Sequence, residues 1–189
     1  ILLIDTQARL SEPDHRASAL SASTVDVLQT MGLWSDLKAN AAAITAIDVS
    51  DRGHLGSASL NAGEQQLEAY GYVVENAHLA QVFAQALQGE YLADLLVLAG
   101  GEHRSLAQRL GINYRSHDYQ RVALVATLTM TEAHGGLAHE RFTGDGAIAL
   151  LPLPGEGEKK VSLVWTLSAD QAEKMQAIAA EDFVASLNE

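Results

Sequence analysis

The stretch YLADLLVLAGGEHRSLAQRLGI, residues 91–112, decides the fold, because only there do a buried strand, a glycine pair and a helix follow one another without a gap. Leu95, Leu96, Val97, Leu98 and Ala99 form an apolar run with no polar alternation, the pattern of a strand covered on both faces. Gly100 and Gly101 then permit a tight turn and close approach of another group to the backbone, and 105–110 predicts a short helix closed by Gly111. Two readings of this unit stand side by side. A ligand beyond the carboxyl end of the strand would face free N–H groups that favour phosphate or another anion. Alternatively, the glycines simply let two elements pack closely.

Upstream, 88–90 joins the unit to a helix expected to be capped by Asn76, with Leu79, Val82, Phe83 and Leu87 on one stripe. A fold of this type would carry one or two further strands between them, so the join marks missing residues. Residues 72–74 predict a short strand. ITAIDVSD (44–51) alternates like a half-buried strand, and Arg52-Gly53-His54 turns it into a partner near 57–60. Ser21 or Ser23 caps a helix with Val25, Leu28 and Met31 on one face, ending at Gly32, and 33–38 adds one more turn. Residues 6–16, containing Pro13, read as a loop. Residues 1–4 form an apolar strand ending in Asp5. The chain opens inside that strand with neither a methionine nor a signal peptide, as expected of a piece of a longer protein.

Downstream, from Asp118, the character changes to long strands at 119–130, 137–142, 147–153 and 161–166, with glycine-flanked turns at 144–146 and 155–157. A last helix is expected from Ser168, which has capping-box spacing to Gln171, through Met175, Ile178 and Phe183 to about Leu187. The order predicts a mixed α/β (α+β) fold. Residues 1–117 would form βα units with a small inserted strand pair near 44–75, and 118–189 a mainly antiparallel sheet with a helix.

Composition narrows the function. Length allows one large or two small domains. A net charge of −12 argues against nucleic acid. The absence of cysteine removes disulfides, thiolate metal sites and cysteine nucleophiles. The seven histidines show no i, i+4 pair beside an acid, so no metal site is expected. Ser105 with His103 lacks the G-x-S-x-G elbow of a hydrolase. No apolar run is long enough to span a membrane.

Asp5, ending a strand, is either a ribose-binding acid or a solvated loop aspartate. Arg16, in DHRASAL at the entry to the first helix, either reaches a pyrophosphate or lies on the surface. In AIALLPLP (147–154), Ile148, Leu150 and Pro152 fall on one side of a strand and Ala147, Ala149, Leu151 and Leu153 on the other. Both faces are apolar. One packs in the core; the other lines a pocket, with Phe142 and Trp165 as neighbours, or lies under the final helix.

DHRASALSASTVDVLQTMGLW, ITAIDVSDRGHLG, GYVVEN, LADLLVLAGGEHRS and AHERFTGDGAIALLPLP together resemble the flavin-dependent aromatic hydroxylases of ubiquinone biosynthesis, most of all the 2-polyprenyl-6-methoxyphenol hydroxylase branch. The resemblance implies a partial glutathione-reductase-like FAD-binding fold with an inserted substrate sheet. It also implies FAD as cofactor, NAD(P)H and dioxygen as co-substrates, and a polyprenylated methoxyphenol as the molecule hydroxylated. Asp5 would be the ribose-binding acid, Arg16 the arginine near the pyrophosphate, and Gly100 and Gly101 the site of the family's Asp-Gly motif, with glycine where the family has aspartate. Phe142, Leu151, Pro152 and Trp165 would be substrate contacts. The flavin carries the chemistry, so no side chain is assigned as acid, base or nucleophile. The GxGxxG loop and the later Gly-Asp motif are absent, which leaves a non-catalytic binding or scaffold protein as the alternative. The family setting implies a cytoplasmic location, at most peripheral to the inner membrane, beside other ubiquinone-biosynthesis proteins. The strand at 95–99, deprived of its neighbour, predicts self-association or a partly molten state.

Overall fold

The computed structural model describes residues 14, 16–86, 104–113 and 115–188, with the backbone alone at 104–106. The strand at 1–4, Asp5, and the run from Leu87 through Gly100 and Gly101 lie outside the described residues. The chain enters on β1 (Ala17–Ser21). Arg16 therefore precedes a strand and not the first helix, because Ser21 fixes the helix start by accepting a hydrogen bond from the Thr24 N–H. Helix α1 (Ala22–Thr30) buries Val25 and Leu28, and α2 (Trp34–Lys38) buries Trp34 and Leu37.

The strand expected at 44–51 is observed as β3 (Ala46–Asp51), while Ile44 ends a separate strand, β2 (Ala41–Ile44), which belongs to a different sheet. They part at Thr45, whose N–H donates to the Gly136 carbonyl at 2.9 Å. The remaining elements are β4 (Ser57–Asn61), β5 (Gly71–Glu75), α3 (Asn76–Ala86), α4 (Arg104–Arg109), β6 (Val122–Thr129), β7 (Leu137–Thr143), β8 (Gly146–Pro152), β9 (Lys160–Leu167), α5 (Ala169–Ala177) and α6 (Ala180–Leu187). The expected capping box of Ser168 and Gln171 opens α5. The single final helix is broken, however: Ile178 is extended (φ −82°, ψ 161°), and α6 starts afresh after it.

A three-stranded antiparallel sheet, β1-β5-β2, stands beside a six-stranded sheet, β4-β3-β7-β8-β9-β6, in which only β3 and β7 run parallel. Chain order groups β3 and β4 with the first 117 residues, yet both hydrogen-bond into the sheet built otherwise from 122–167. Sequence patterning carries no register information for that long-range parallel pairing.

Strand β5 is covered on both sides, with Val73 and Val74 each 0% exposed. Val74 joins Val25, Leu28, Trp34, Leu37, Tyr72 and Val82 in a core beneath the N-terminal helices, where the Trp34 and Tyr72 rings meet edge-on at 4.8 Å. Val73 turns the other way and joins Ile44, Ala138 and Leu153, with Ile47 and Leu151 against them, in a core between the two sheets. Gly136 lies at this seam with φ +75°, where a Cβ would stand 2.5 Å from Thr45 Oγ1 and 3.1 Å from the Ala43 carbonyl. Only glycine fits that contact without displacement. His134 ties the seam together: the Gly136 N–H donates to its Nδ1 at 3.1 Å, which makes Nε2 the donor to the Leu153 carbonyl, also at 3.1 Å.

Candidate functional site: an apolar sheet face and an anchored arginine

The strand registers assign every side chain of the large sheet to one of two faces. Leu124 pairs with Trp165, Trp165 with Ile148, and Ile148 with Arg141, so these four share a face. Helices α5 and α6 lie over it. Trp165 approaches Phe183 of α6 at 6.1 Å, and a cleft of about 320 Å³ between sheet and helices is lined by Arg52, Arg141, Ile148, Trp165 and Leu187. On this face Leu163 is fully buried and Leu124 nearly so.

The opposite face is organised by one row that crosses the whole sheet: Ala58, Val49, Glu140, Ala149, Val164 and Val125, each paired with the next. Five of the six are apolar and small or β-branched, which gives a shallow wall; Glu140 is the one ionisable member. Beside the row, Leu151 and Ile47 pack into the core between the sheets, whereas Phe142, Val125 and Leu60 remain open at 45%, 37% and 42% exposure. A sheet face with this much uncovered apolar surface is suited to an apolar partner or ligand.

The four residues expected at a substrate site are thus divided. Phe142 is on the open face, Leu151 is on the same face but committed to the inter-sheet core, and Trp165 and fully buried Pro152 are on the helix-covered face. Glu140 was missed by sequence reasoning, although period-2 alternation through LAHERFT already sets Ala138, Glu140 and Phe142 together.

Arg16 is held at the edge of the smaller sheet. Its Nε and Nη2 donate to the two oxygens of Asp14 at 2.9 and 2.8 Å, and its backbone N–H donates to Asp14 Oδ1 at 3.0 Å. Asn76 Nδ2 donates to Asp14 at 3.2 Å and Asn76 Oδ1 accepts from Ser18 at 2.7 Å, which fixes the start of α3 against β1. The side-chain hydrogen bond from Arg16 is the main reason the Asp14 carboxyl is held far below the ordinary aspartate range. The guanidinium is orientated by this fork while 68% of the side chain stays exposed. Among the described residues no cluster of metal-ligating side chains occurs, and no helix is long and apolar enough to cross a membrane.

No protein-family model matches the chain. Ubiquinone hydroxylase UbiL of Rhodospirillum rubrum is 31% identical over 207 residues, covering 92% of this chain and 47% of the relative. The 3-demethoxyubiquinol 3-hydroxylase of Escherichia coli is 26% identical, covering 88% of this chain and 49% of the relative. Human mitochondrial ubiquinone biosynthesis monooxygenase COQ6 is 25% identical, covering 95% and 46%. The chain is a relative of the ubiquinone-biosynthesis hydroxylases. It spans about half the length of the curated relatives it matches. The 207-residue match to UbiL is longer than the whole 189-residue chain, so the relative carries extra residues within the matched span.

Solved structures give the fold. PqsL of Pseudomonas aeruginosa, a probable FAD-dependent monooxygenase, superposes with a TM-score of 0.64 at 15% identity, over 90% of this chain and 55% of PqsL. HpxO of Klebsiella pneumoniae, solved with FAD and uric acid, superposes at 0.63 and 14% identity, over 81% and 48%. The expected mixed α/β architecture is therefore that of the FAD-dependent monooxygenases.

Proposed function

We propose that this chain is part of a flavoprotein monooxygenase that hydroxylates a polyprenylated methoxyphenol in ubiquinone biosynthesis, using FAD, NAD(P)H and dioxygen. The observation that carries the reading is the open apolar face of the six-stranded sheet, in a chain related to ubiquinone hydroxylases over nearly all of its length. A prenylated ring requires an extended apolar wall with few polar groups, and the row from Ala58 to Val125 has that composition.

Arg16 is the described residue that would contact FAD. Arg16 supports the reading in being cationic and exposed, with its guanidinium orientated by the fork to Asp14. Asp5, Gly100 and Gly101 would complete the binding side. When bound, the flavin would supply electron transfer and oxygen activation. The chain's own part is to hold the pyrophosphate through Arg16, to orientate the ring along the open face beside Phe142, and to exclude water there with Val49, Ala149, Val164 and Val125. The division into an FAD-binding part (1–117) and a substrate sheet (118–189) belongs to this proposal, with β3 and β4 serving the sheet. So do a cytoplasmic setting peripheral to the inner membrane, where such a substrate resides, and contact with other ubiquinone-biosynthesis proteins.

The test is direct. The purified chain is examined for flavin absorbance, then given FAD, NAD(P)H and a polyprenylated methoxyphenol under air, with products read by mass spectrometry. Product carrying one additional oxygen atom supports the reading. Phenol binding with neither flavin uptake nor product favours the non-catalytic alternative, which is motivated by Gly100 standing where the family has aspartate.

A further inference from the structure

We propose that Glu140 is the group that recognises the phenolic hydroxyl of the substrate, and so sets which way round the ring lies on the sheet. The inference rests on the substrate-face reading above and adds to it a named polar contact. Glu140 occupies the third place in a row of six whose other members are Ala58, Val49, Ala149, Val164 and Val125. Its direct neighbours on either side, Val49 and Ala149, offer no hydrogen bond from their side chains. Among the described residues the Glu140 carboxylate has no hydrogen-bond or ion-pair partner, although the residue is only partly exposed. The adjacent arginine does not neutralise it: Arg141 is next in sequence and therefore projects from the other face, into the cleft beneath α6.

Asp51, the other carboxylate on this face, stands opposite Phe142 and is paired with His54 at 2.8 Å. Glu140, set between apolar neighbours, loses hydration as soon as an apolar ligand covers the wall. It then needs a donor from the ligand. A methoxyphenol provides one O–H donor, its methoxy oxygen being an acceptor only, so the complementary arrangement sets that hydroxyl on Glu140 with the ring over the small residues Ala149 and Ala58. Phe142, two residues along β7 and on the same face, stands beside the ring. The contact also has an electronic consequence. A carboxylate accepting the phenolic hydrogen bond increases electron density at the ring carbons ortho and para to the oxygen, the positions at which an electrophilic oxygen is accepted. Glu140 therefore both orientates and activates the ring, without itself gaining or losing a covalent bond.

The experiment compares binding of a prenylated phenol and of its O-methyl ether to the 189-residue chain and to Glu140→Gln and Glu140→Leu. The parent chain should prefer the phenol by about tenfold or more, since the ether cannot donate and leaves the covered carboxylate unpaired. Glu140→Gln, which keeps an acceptor oxygen, should retain part of that preference. Glu140→Leu should abolish it while binding the ether more tightly than the parent does, a gain that a folding defect cannot produce. If phenol and ether bind the parent equally, or if Glu140→Leu keeps the preference, Glu140 is not the recognition group. If neither compound binds any of the three, the substrate-face reading itself fails, and this inference fails with it.

Discussion

The two faces of the six-stranded sheet are built from the same strands and are almost equally apolar in sequence, yet the helices cover most of one, whereas the other is buried only where the smaller sheet meets it. On the helix-covered face Leu163 is 0% exposed and Leu124 is 8%; on the open face Phe142 is 45% and Val125 is 37%. Alternation determines which residues share a face. It does not determine what covers that face, because among the described residues the cover comes from α5 and α6 on one side and from part of the smaller sheet on the other. Among the described residues, the apolar surface on this second face is therefore available to an apolar ligand or to another part of the protein.

The contrast is broken most severely by placing the same charge on each side. Leu163→Asp should destabilise the chain by roughly 4 kcal/mol or more, because an unpaired carboxylate would be buried beneath the helices. Phe142→Asp should cost about 1 kcal/mol or less, because the site is already hydrated. Chemical denaturation of the two variants side by side checks this, and equal losses would mean that both faces are core. A smaller effect is expected at the seam that leaves part of the second face open. Gly136→Ala should cost about 1–3 kcal/mol, because its Cβ would press on Thr45 and the backbone would be held at φ +75°. Ser168→Ala, which removes the cap of the covering helix α5, should cost about 1 kcal/mol and raise hydrogen exchange in α5 ahead of that in β9.

The smallest effect concerns Asp14 and its dependence on pH. The folded chain holds this carboxyl below its ordinary range, so its contribution to stability is complete at neutral pH. It is lost as acidification passes through the ordinary aspartate range towards the depressed folded value. Asp14→Asn should therefore melt slightly below the parent at pH 7, by under about 1 kcal/mol given the exposure of Arg16, and the difference should close in acid. A difference that widens in acid would reverse the sign and remove the proposed anchoring of Arg16.

Local signals in the sequence were enough for most elements. The Ser21 cap, the RGH turn between β3 and β4, the Ser168–Gln171 capping box and the four strands from 122 to 167 were all legible, because each depends on residues within a few positions of one another. What was not legible was non-local. The split at Thr45 depends on a hydrogen bond to Gly136, ninety-one residues later in the chain, and the parallel pairing of β3 with β7 has the same origin. The Ile178 break was hidden because Ile178 and Phe183 continue an apolar stripe that the backbone interrupts. At the candidate site, Phe142 and Trp165 are expected together from neighbouring strands; the register sets Phe142 on the open face and Trp165 on the other, opposite Phe183 of α6. Glu140 required the same register, since a charged residue in a strand reads as solvated until its neighbours across the sheet are known.

The central claim, that the open face is the substrate wall, is tested most directly by photolabelling the 189-residue chain with a photoreactive prenylated phenol and mapping the adducts by peptide mass spectrometry. The account predicts labels on Val49, Phe142, Ala149, Val164 or Val125, suppressed by excess unlabelled phenol. Competable labels confined to Trp165, Leu187 and the cleft beneath α6, or no competable label at all, would contradict it.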